Sequence, residues 1–248
     1  EIEDFGKKTL FDILKIKRSN KFKIYKRILV TLIKLQNIKV KKIKNFKKKF
    51  YKIPIYSKSL LLEEVNLFFK WYVPHIFNKK KRFKINSQLR KVISSLLKKI
   101  KLPNNTFVHR DFHVSNLMLK KRVISVIDSQ DAVYGNIAYD LASLIDDVRL
   151  RTSKNMKEMI YKEYLYLNKK KINIKKFKND FEILSVLRNL KIIGIFTRLA
   201  NRDNKKQYLK LIPHAWELIE LRIKNNYIFK DLKKNLGTNF PKKIRIKK

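Results

Sequence analysis

Apolar residues return at three- and four-residue intervals through most of this chain, and between residues 106 and 128 that rhythm gives way to short apolar runs. The helical rhythm predicts helices over 7–14, over 25–38 with Ile28, Leu32 and Leu35 facing a core, and over 59–73 with Leu60, Leu61, Val65, Phe68, Phe69 and Tyr72 as its apolar positions. Pro74 is expected to stop the third of these. Further helices are expected over 86–100, from about Asn136 with Leu141, Leu144, Ile145 and Val148 on one face, over 181–199 and over 213–223. The 181–199 segment is apolar nearly all round, as befits a buried helix. The basic run 41–52 reads as a solvated linker or helix face, Gly135 as a turn, and residues 229–248 as a basic tail without a core signal.

Where the rhythm breaks, Thr106-Phe107-Val108 reads as a strand, and Leu117-Met118-Leu119 and Val123 to Ile127 flank Lys120-Lys121-Arg122 as a hairpin. The expected fold class is therefore α+β, mainly helical, with a short β-hairpin. A hairpin goes out and comes back, so it returns Asp128 to the neighbourhood of Asn116. Between the first strand and the hairpin lies His109-Arg110-Asp111-Phe112-His113-Val114-Ser115-Asn116. A polar loop between strands is how a rigid scaffold presents reactive groups.

His-Arg-Asp with Asn at the fifth position after the Asp, and a second Asp at the end of a following strand, matches the catalytic loop and second metal ligand of kinases. Asp111 is the candidate catalytic base or hydroxyl-orienting group, and Asn116 and Asp128 are candidate magnesium ligands. Magnesium suits such a set because it takes few protein oxygens and completes its shell with water and nucleotide phosphate. His109, Asp111 and His113 at alternate positions could also suit zinc, but only His75 and His214 remain elsewhere to complete such a site. His109 and His113 are better read as shaping the loop.

The net charge of +42 would by itself suggest a nucleic-acid or anionic-membrane partner. The lysines, however, run along the whole chain beside abundant Ile and Asn, residues whose codons are rich in A and T, so coding bias accounts for the composition. With 248 residues, 44% of them hydrophobic, a sizeable core is affordable; there is no cysteine, and no apolar run is long enough to span a bilayer. A soluble cytoplasmic protein without a membrane partner is expected. The chain opens on Glu, mid-pattern, so further sequence upstream is expected.

The segments 109–116, Ile127-Asp128-Ser129-Gln130-Asp131-Ala132 and Gly135-Asn136-Ile137-Ala138-Tyr139-Asp140-Leu141-Ala142-Ser143-Leu144 resemble the aminoglycoside phosphotransferase superfamily, which shares the protein-kinase fold. Gln130-Asp131, the stretch Arg188 to Phe196 and the stretch Arg198 to Asp203 resemble more narrowly the bacterial anomeric kinases of N-acetylmuramate and N-acetylglucosamine, which serve cell-wall recycling. The resemblance implies a carboxy-terminal kinase lobe over 7–228 preceded by a hinge remnant at 1–6. It also implies ATP and Mg2+ as cofactors, with Asp111 catalytic, Asn116 and Asp128 on the metal, and Asp140 supporting the loop together with His109 and Arg110. His113, Gln130, Asp131, Arg188, Arg198 and Trp71 are candidate contacts to the substrate.

The implied activity is ATP-dependent phosphorylation of a hydroxyl on a small polar molecule, an amino sugar above all. Aminoglycoside, choline or homoserine kinases of the same superfamily are the enzyme alternatives, and a non-catalytic basic scaffold for nucleic acid is the alternative from another class. The superfamily also carries a phosphate-covering loop and a Lys for the nucleotide; the isolated glycines here, Gly6, Gly135, Gly194 and Gly237, cannot build such a loop.

Overall fold

The computed structural model describes residues 4–16, 20–44, 47–120, 123–168 and 172–245. Glu1 to Glu3 of the expected hinge remnant, Lys121 and Arg122 of the expected hairpin turn, and the last three residues lie outside them. In chain order, helices α1 (Leu10–Lys15) and α2 (Lys21–Gln36) precede a small hairpin, β1 (Lys42–Lys44) with β2 (Phe50–Lys52). Helix α3 (Lys58–Leu67) continues through a π-turn, Phe68–Tyr72, into α4 (Val73–Ile76), and α5 (Lys79–Lys98) follows. Then come β3 (Asn104–Val108), β4 (Leu117–Lys120), β5 (Val123–Val126) and β6 (Val133–Asn136). The rest is helical: α6 (Tyr139–Ile145), α7 (Lys154–Leu167), α8 (Ile174–Arg202), α9 (Ile212–Ile223), α10 (Lys230–Asn239) and α11 (Lys242–Arg245). The architecture is α+β and mainly helical, as the pattern predicts.

Two compact units divide the chain. The first holds residues 1–56 and 102–178. Its α1 is started by a capping box, Thr9 accepting from the Asp12 amide and the Asp12 carboxylate accepting from the Thr9 amide, which satisfies two otherwise orphaned donors. Helix α2 buries Tyr25, Ile28, Leu29 and Leu32 along one stripe and packs on α7, which contributes Ile160 and Tyr164. The Tyr164 hydroxyl donates to Gln36 Oε1 at 2.7 Å, and Gln36 Nε2 donates to the Ile137 carbonyl at 2.9 Å, so the end of α2 is tied to the segment that opens α6. Tyr164 and Gln36 are both buried, where an unmade hydrogen bond would cost about 1–3 kcal/mol.

Strands β3 and β6 pair antiparallel with Val108 opposite Val133, and β4 and β5 pair with Leu117 opposite Val126. Gly135 is not in a turn; it lies within β6, where an added Cβ would stand 3.1 Å from Val108 Cγ2 and 3.2 Å from Tyr56 Cβ. The glycine is explained by this close approach of the Pro54–Tyr56 segment. Tyr134 donates its amide to the Pro54 carbonyl and accepts from the Tyr56 amide, each at 2.8 Å. Within the run 41–52, read as linker or helix face, residues 42–44 and 50–52 instead pair as β1 and β2.

The second unit holds residues 57–101 and 179–248. Pro74 does not end the helix it follows: the preceding π-turn reorganises the hydrogen bonding, and the proline sits in the first turn of α4, where its missing N–H costs nothing. Gly194 of α8 meets this bend. A Cβ there would lie 2.3 Å from the Leu67 carbonyl carbon, so only glycine allows the two backbones to approach. Residues 229–245 are not a tail. Phe229, Leu232, Leu236 and Phe240 are fully buried, and Phe240 stacks on Tyr72 at 5.9 Å and lies 5.5 Å from the Trp216 ring. Arg245 caps this cluster with its guanidinium 4.8 Å above Trp216. No helix among the described residues is long and apolar enough to cross a membrane.

Candidate active site

The loop between β3 and β4 is built around one buried carboxylate. Asp140, 1% exposed and in the first turn of α6, accepts the His109 amide at 2.7 Å and the Arg110 amide at 3.1 Å. These charge-assisted bonds hold the backbone where it must turn, for Arg110 has a φ of 73°. Of the four non-glycine residues with positive φ among the described residues, Arg110 is one and Asp128, at 69°, is another. Such conformations cost on the order of 1–3 kcal/mol each and persist only where the surroundings enforce them.

His109 supplies a second tie. Its Nε2 lies 3.0 Å from the Ile127 carbonyl, which can only accept, so that nitrogen carries the proton. Burial lowers the His109 pKa from its ordinary value, with hydrogen bonding to Ile127 and the charges of Asp111 and Asp128 opposing that shift. The neutral imidazole therefore links the loop to the strand end that carries Asp128. Arg110 makes a third tie, donating from Nη1 to the Asp131 carbonyl at 3.2 Å while its guanidinium lies 5.4 Å from the Tyr56 ring centroid.

These ties assemble the residues singled out in the sequence. The Ile127 amide donates to the Asn116 carbonyl at 3.1 Å, extending the β4–β5 ladder by one bond and placing Asp128 directly after a residue paired with Asn116. Asn116 Nδ2 donates to the Asp111 carbonyl at 3.1 Å; because that carbonyl only accepts, the amide nitrogen faces Asp111 and Oδ1 is the atom left to bind a cation. On the other side Gln130 Nε2 donates to Asp128 Oδ1 at 2.9 Å. Asp111 is half-buried, and Asp128 is exposed.

An amide oxygen and a carboxylate are hard donors in the small number magnesium takes from protein, so Asn116 and Asp128 fit that ion. Among the described residues no three His, Asp or Glu side chains converge as a metal cage. His109 is engaged with Ile127, and His113 is 5% exposed beside the fully buried Phe112 and Val114, so both rings belong to the body of the loop.

The other substrate candidates, Trp71, Arg188 and Arg198, belong to the second unit. The basic residues of α8 do not form one solvated face. Arg188 is 3% exposed, Lys191 pairs with Glu64 at 2.8 Å, and Arg202 pairs with Asp203 at 2.6 Å. Sequence reasoning missed a group of residues beside the loop. Ile43, Tyr51, Ile53, Phe107 and Ala132 enclose, with Ser129 and Gln130, a cavity of about 370 Å3. The alternation Lys42-Ile43-Lys44 was the available signal, hidden inside a run of lysines.

The description "Phosphotransferase enzyme family" matches residues 31–170. The chain is 33% identical over 166 residues to the N-acetylmuramate/N-acetylglucosamine kinase of Neisseria meningitidis serogroup B, covering 65% of this chain and 50% of that protein. It is 26% identical over 230 residues to the protein of the same name from Pseudomonas aeruginosa, covering 90% of this chain and 64% of that one. The chain thus spans about half the length of the first of these relatives and under two thirds of the second. Among solved structures, a Plasmodium vivax ethanolamine kinase superposes with a TM-score of 0.51 at 16% identity, over 81% of this chain and 60% of that one, a likeness of fold.

Proposed function

Since the chain belongs to the phosphotransferase enzyme family, we propose that it forms the acceptor and metal half of an ATP- and Mg2+-dependent kinase that phosphorylates the anomeric hydroxyl of an N-acylated amino sugar. In this reading Asp111 orients the sugar hydroxyl and takes its proton as the oxygen bonds to the γ-phosphorus and the bond to the departing ADP oxygen breaks. Asn116 Oδ1 and Asp128 hold Mg2+, which when bound neutralises phosphate charge. Asp140 and His109 keep the loop in its strained turn, and Gln130 sets the orientation of Asp128.

The observation that carries the reading is the bond from the Ile127 amide to the Asn116 carbonyl, which converts a motif spread over 18 positions of sequence, Asp111 to Asp128, into one locus. The choice of acceptor is supported by the relatives' names, N-acetylmuramate/N-acetylglucosamine kinase. It is supported also by what the acids are doing. A polycationic aminoglycoside would need free carboxylates, yet Glu64 is paired with Lys191, Asp146 with Lys157 and Asp147 with Arg149.

The test is turnover of ATP by this chain, with any upstream coding sequence of its gene included, against N-acetylglucosamine, N-acetylmuramate, an aminoglycoside and choline, with the product position read by NMR. Phosphate at the anomeric carbon of the N-acylated sugars supports the reading. Turnover confined to choline or the aminoglycoside, or none with any acceptor, overturns it.

A further inference from the structure

The cavity beside the loop has the volume of a small-molecule pocket, which run from about 300 to 1,000 Å3. Its apolar side includes the β1–β2 hairpin. Ile43 and Tyr51 are direct cross-strand partners in β1–β2, so the pleat puts both side chains on one face. They are 50% and 51% exposed, although a two-stranded hairpin is marginal unless its apolar face is covered. The Ile53 amide extends the ladder by donating to the Lys41 carbonyl at 3.0 Å, and Ile53 and Phe107 form the back of the cavity as part of a small buried cluster with Ala132 and Tyr134.

The opposite side is the turn that carries the reactive groups. Ala132 donates its amide to the Ser129 carbonyl at 3.1 Å, closing the turn that follows Asp128. Gln130 lines the cavity while its Nε2 donates to Asp128 Oδ1, so its Oε1 is the atom that can accept from a ligand. An apolar wall with one oriented amide acceptor at its rim has the chemistry of an N-acyl group: the alkyl part fills the apolar space and the amide N–H meets Gln130. A free amine is a poor occupant, because an ammonium would lose its water against Ile43, Tyr51 and Phe107 without an acid to pair with in the lining.

We propose that this cavity is the acceptor subsite for the acyl chain of an N-acylated amino sugar, with Tyr51, Phe107 and Ala132 setting the chain length and Gln130 recognising the amide. The assignment rests on the reading of the chain as an amino-sugar kinase, and it specifies where that sugar is discriminated. Titration calorimetry of the same protein with N-acetyl-, N-propionyl- and N-butyrylglucosamine and with glucosamine tests it. Affinity should rise about fourfold per added methylene, and glucosamine should bind at least tenfold more weakly than the N-acetyl sugar. Ala132→Leu, which fills the cavity, should weaken N-butyryl binding about tenfold or more and erase the rise. Tyr51→Ala, at an exposed hairpin position, should flatten the rise with an unchanged melting temperature, and it decides the matter if Ala132→Leu does not fold.

A flat series in the unmodified protein, no binding of any member, or a series unaltered by the folded variants overturns the assignment. The two proposals fail separately. Phosphotransfer without acyl-length dependence leaves the kinase and removes the subsite, whereas acyl-length dependence without phosphotransfer to any sugar leaves the subsite and removes the kinase.

Discussion

The loop at residues 109–116 and the charged positions of α8 are both rich in ionisable side chains, and the structure treats them in opposite ways. In the loop a buried carboxylate, Asp140, holds backbone amides, and the chain is kept at positive φ at Arg110 and Asp128. The candidate site carboxylates Asp111 and Asp128 stay half-buried or exposed. On α8 two of the cations are paired: Lys191 meets Glu64 with both side chains about 10% exposed, and Arg202 meets Asp203. Density of charge in a sequence does not mark a site.

That contrast can be broken by substitution. The largest effect is expected in rate at the loop. Asp111→Ala should lower turnover by about 10²–10⁴-fold with little change in melting temperature, measured by coupled ADP release and thermal denaturation. Asp140→Ala should strike both properties, since two buried amides lose their acceptor; about 2–5 kcal/mol of stability in urea unfolding is expected, together with loss of turnover.

On α8 the effect should fall on stability alone. Lys191→Met removes the Lys191–Glu64 pair and should cost about 3–5 kcal/mol while leaving the kcat of the folded protein unchanged; a large fall in kcat would mean that the helix face serves the chemistry after all. Gly194→Ala, whose Cβ must push Leu67 away, should cost about 1–3 kcal/mol.

The smallest effect is a pH dependence at the loop. Burial lowers the His109 pKa, so the folded protein binds fewer protons there than the unfolded chain. Its contribution is present above the ordinary histidine value near 6.5 and is lost as pH falls below it toward the lowered folded value. Urea midpoints should therefore fall between pH 7.5 and pH 5.5, and by less in His109→Gln. An equal fall in both proteins would remove His109 as the source.

Most helices were legible because burial on one face leaves a three-to-four-residue period, and the loop was legible because its residues lie close in sequence. The β4–β5 hairpin could be drawn from two apolar runs, and with it the return of Asp128 to Asn116. Other features depend on partners far along the chain. Gly135 reads as a turn until Tyr56 is seen against it, and Pro74 reads as a stop until the π-turn and Gly194 are seen to accommodate the bend. The period in Phe229, Leu232, Leu236 and Phe240 was present but masked by intervening lysines, so a folded segment passed for a tail. The β1–β2 hairpin was hardest, because all six of its residues are exposed and supply no burial pattern.

The central claim is that Asn116 and Asp128, joined through the Ile127 amide, hold one metal ion beside Asp111. Electron paramagnetic resonance of Mn2+ titrated into the protein with a non-hydrolysable ATP analogue tests it most directly. Asn116→Ala and Asp128→Ala should each weaken Mn2+ binding by about tenfold or more, while Lys191→Met leaves it unchanged. Equal Mn2+ affinity in the unmodified protein and in both site variants would contradict the account.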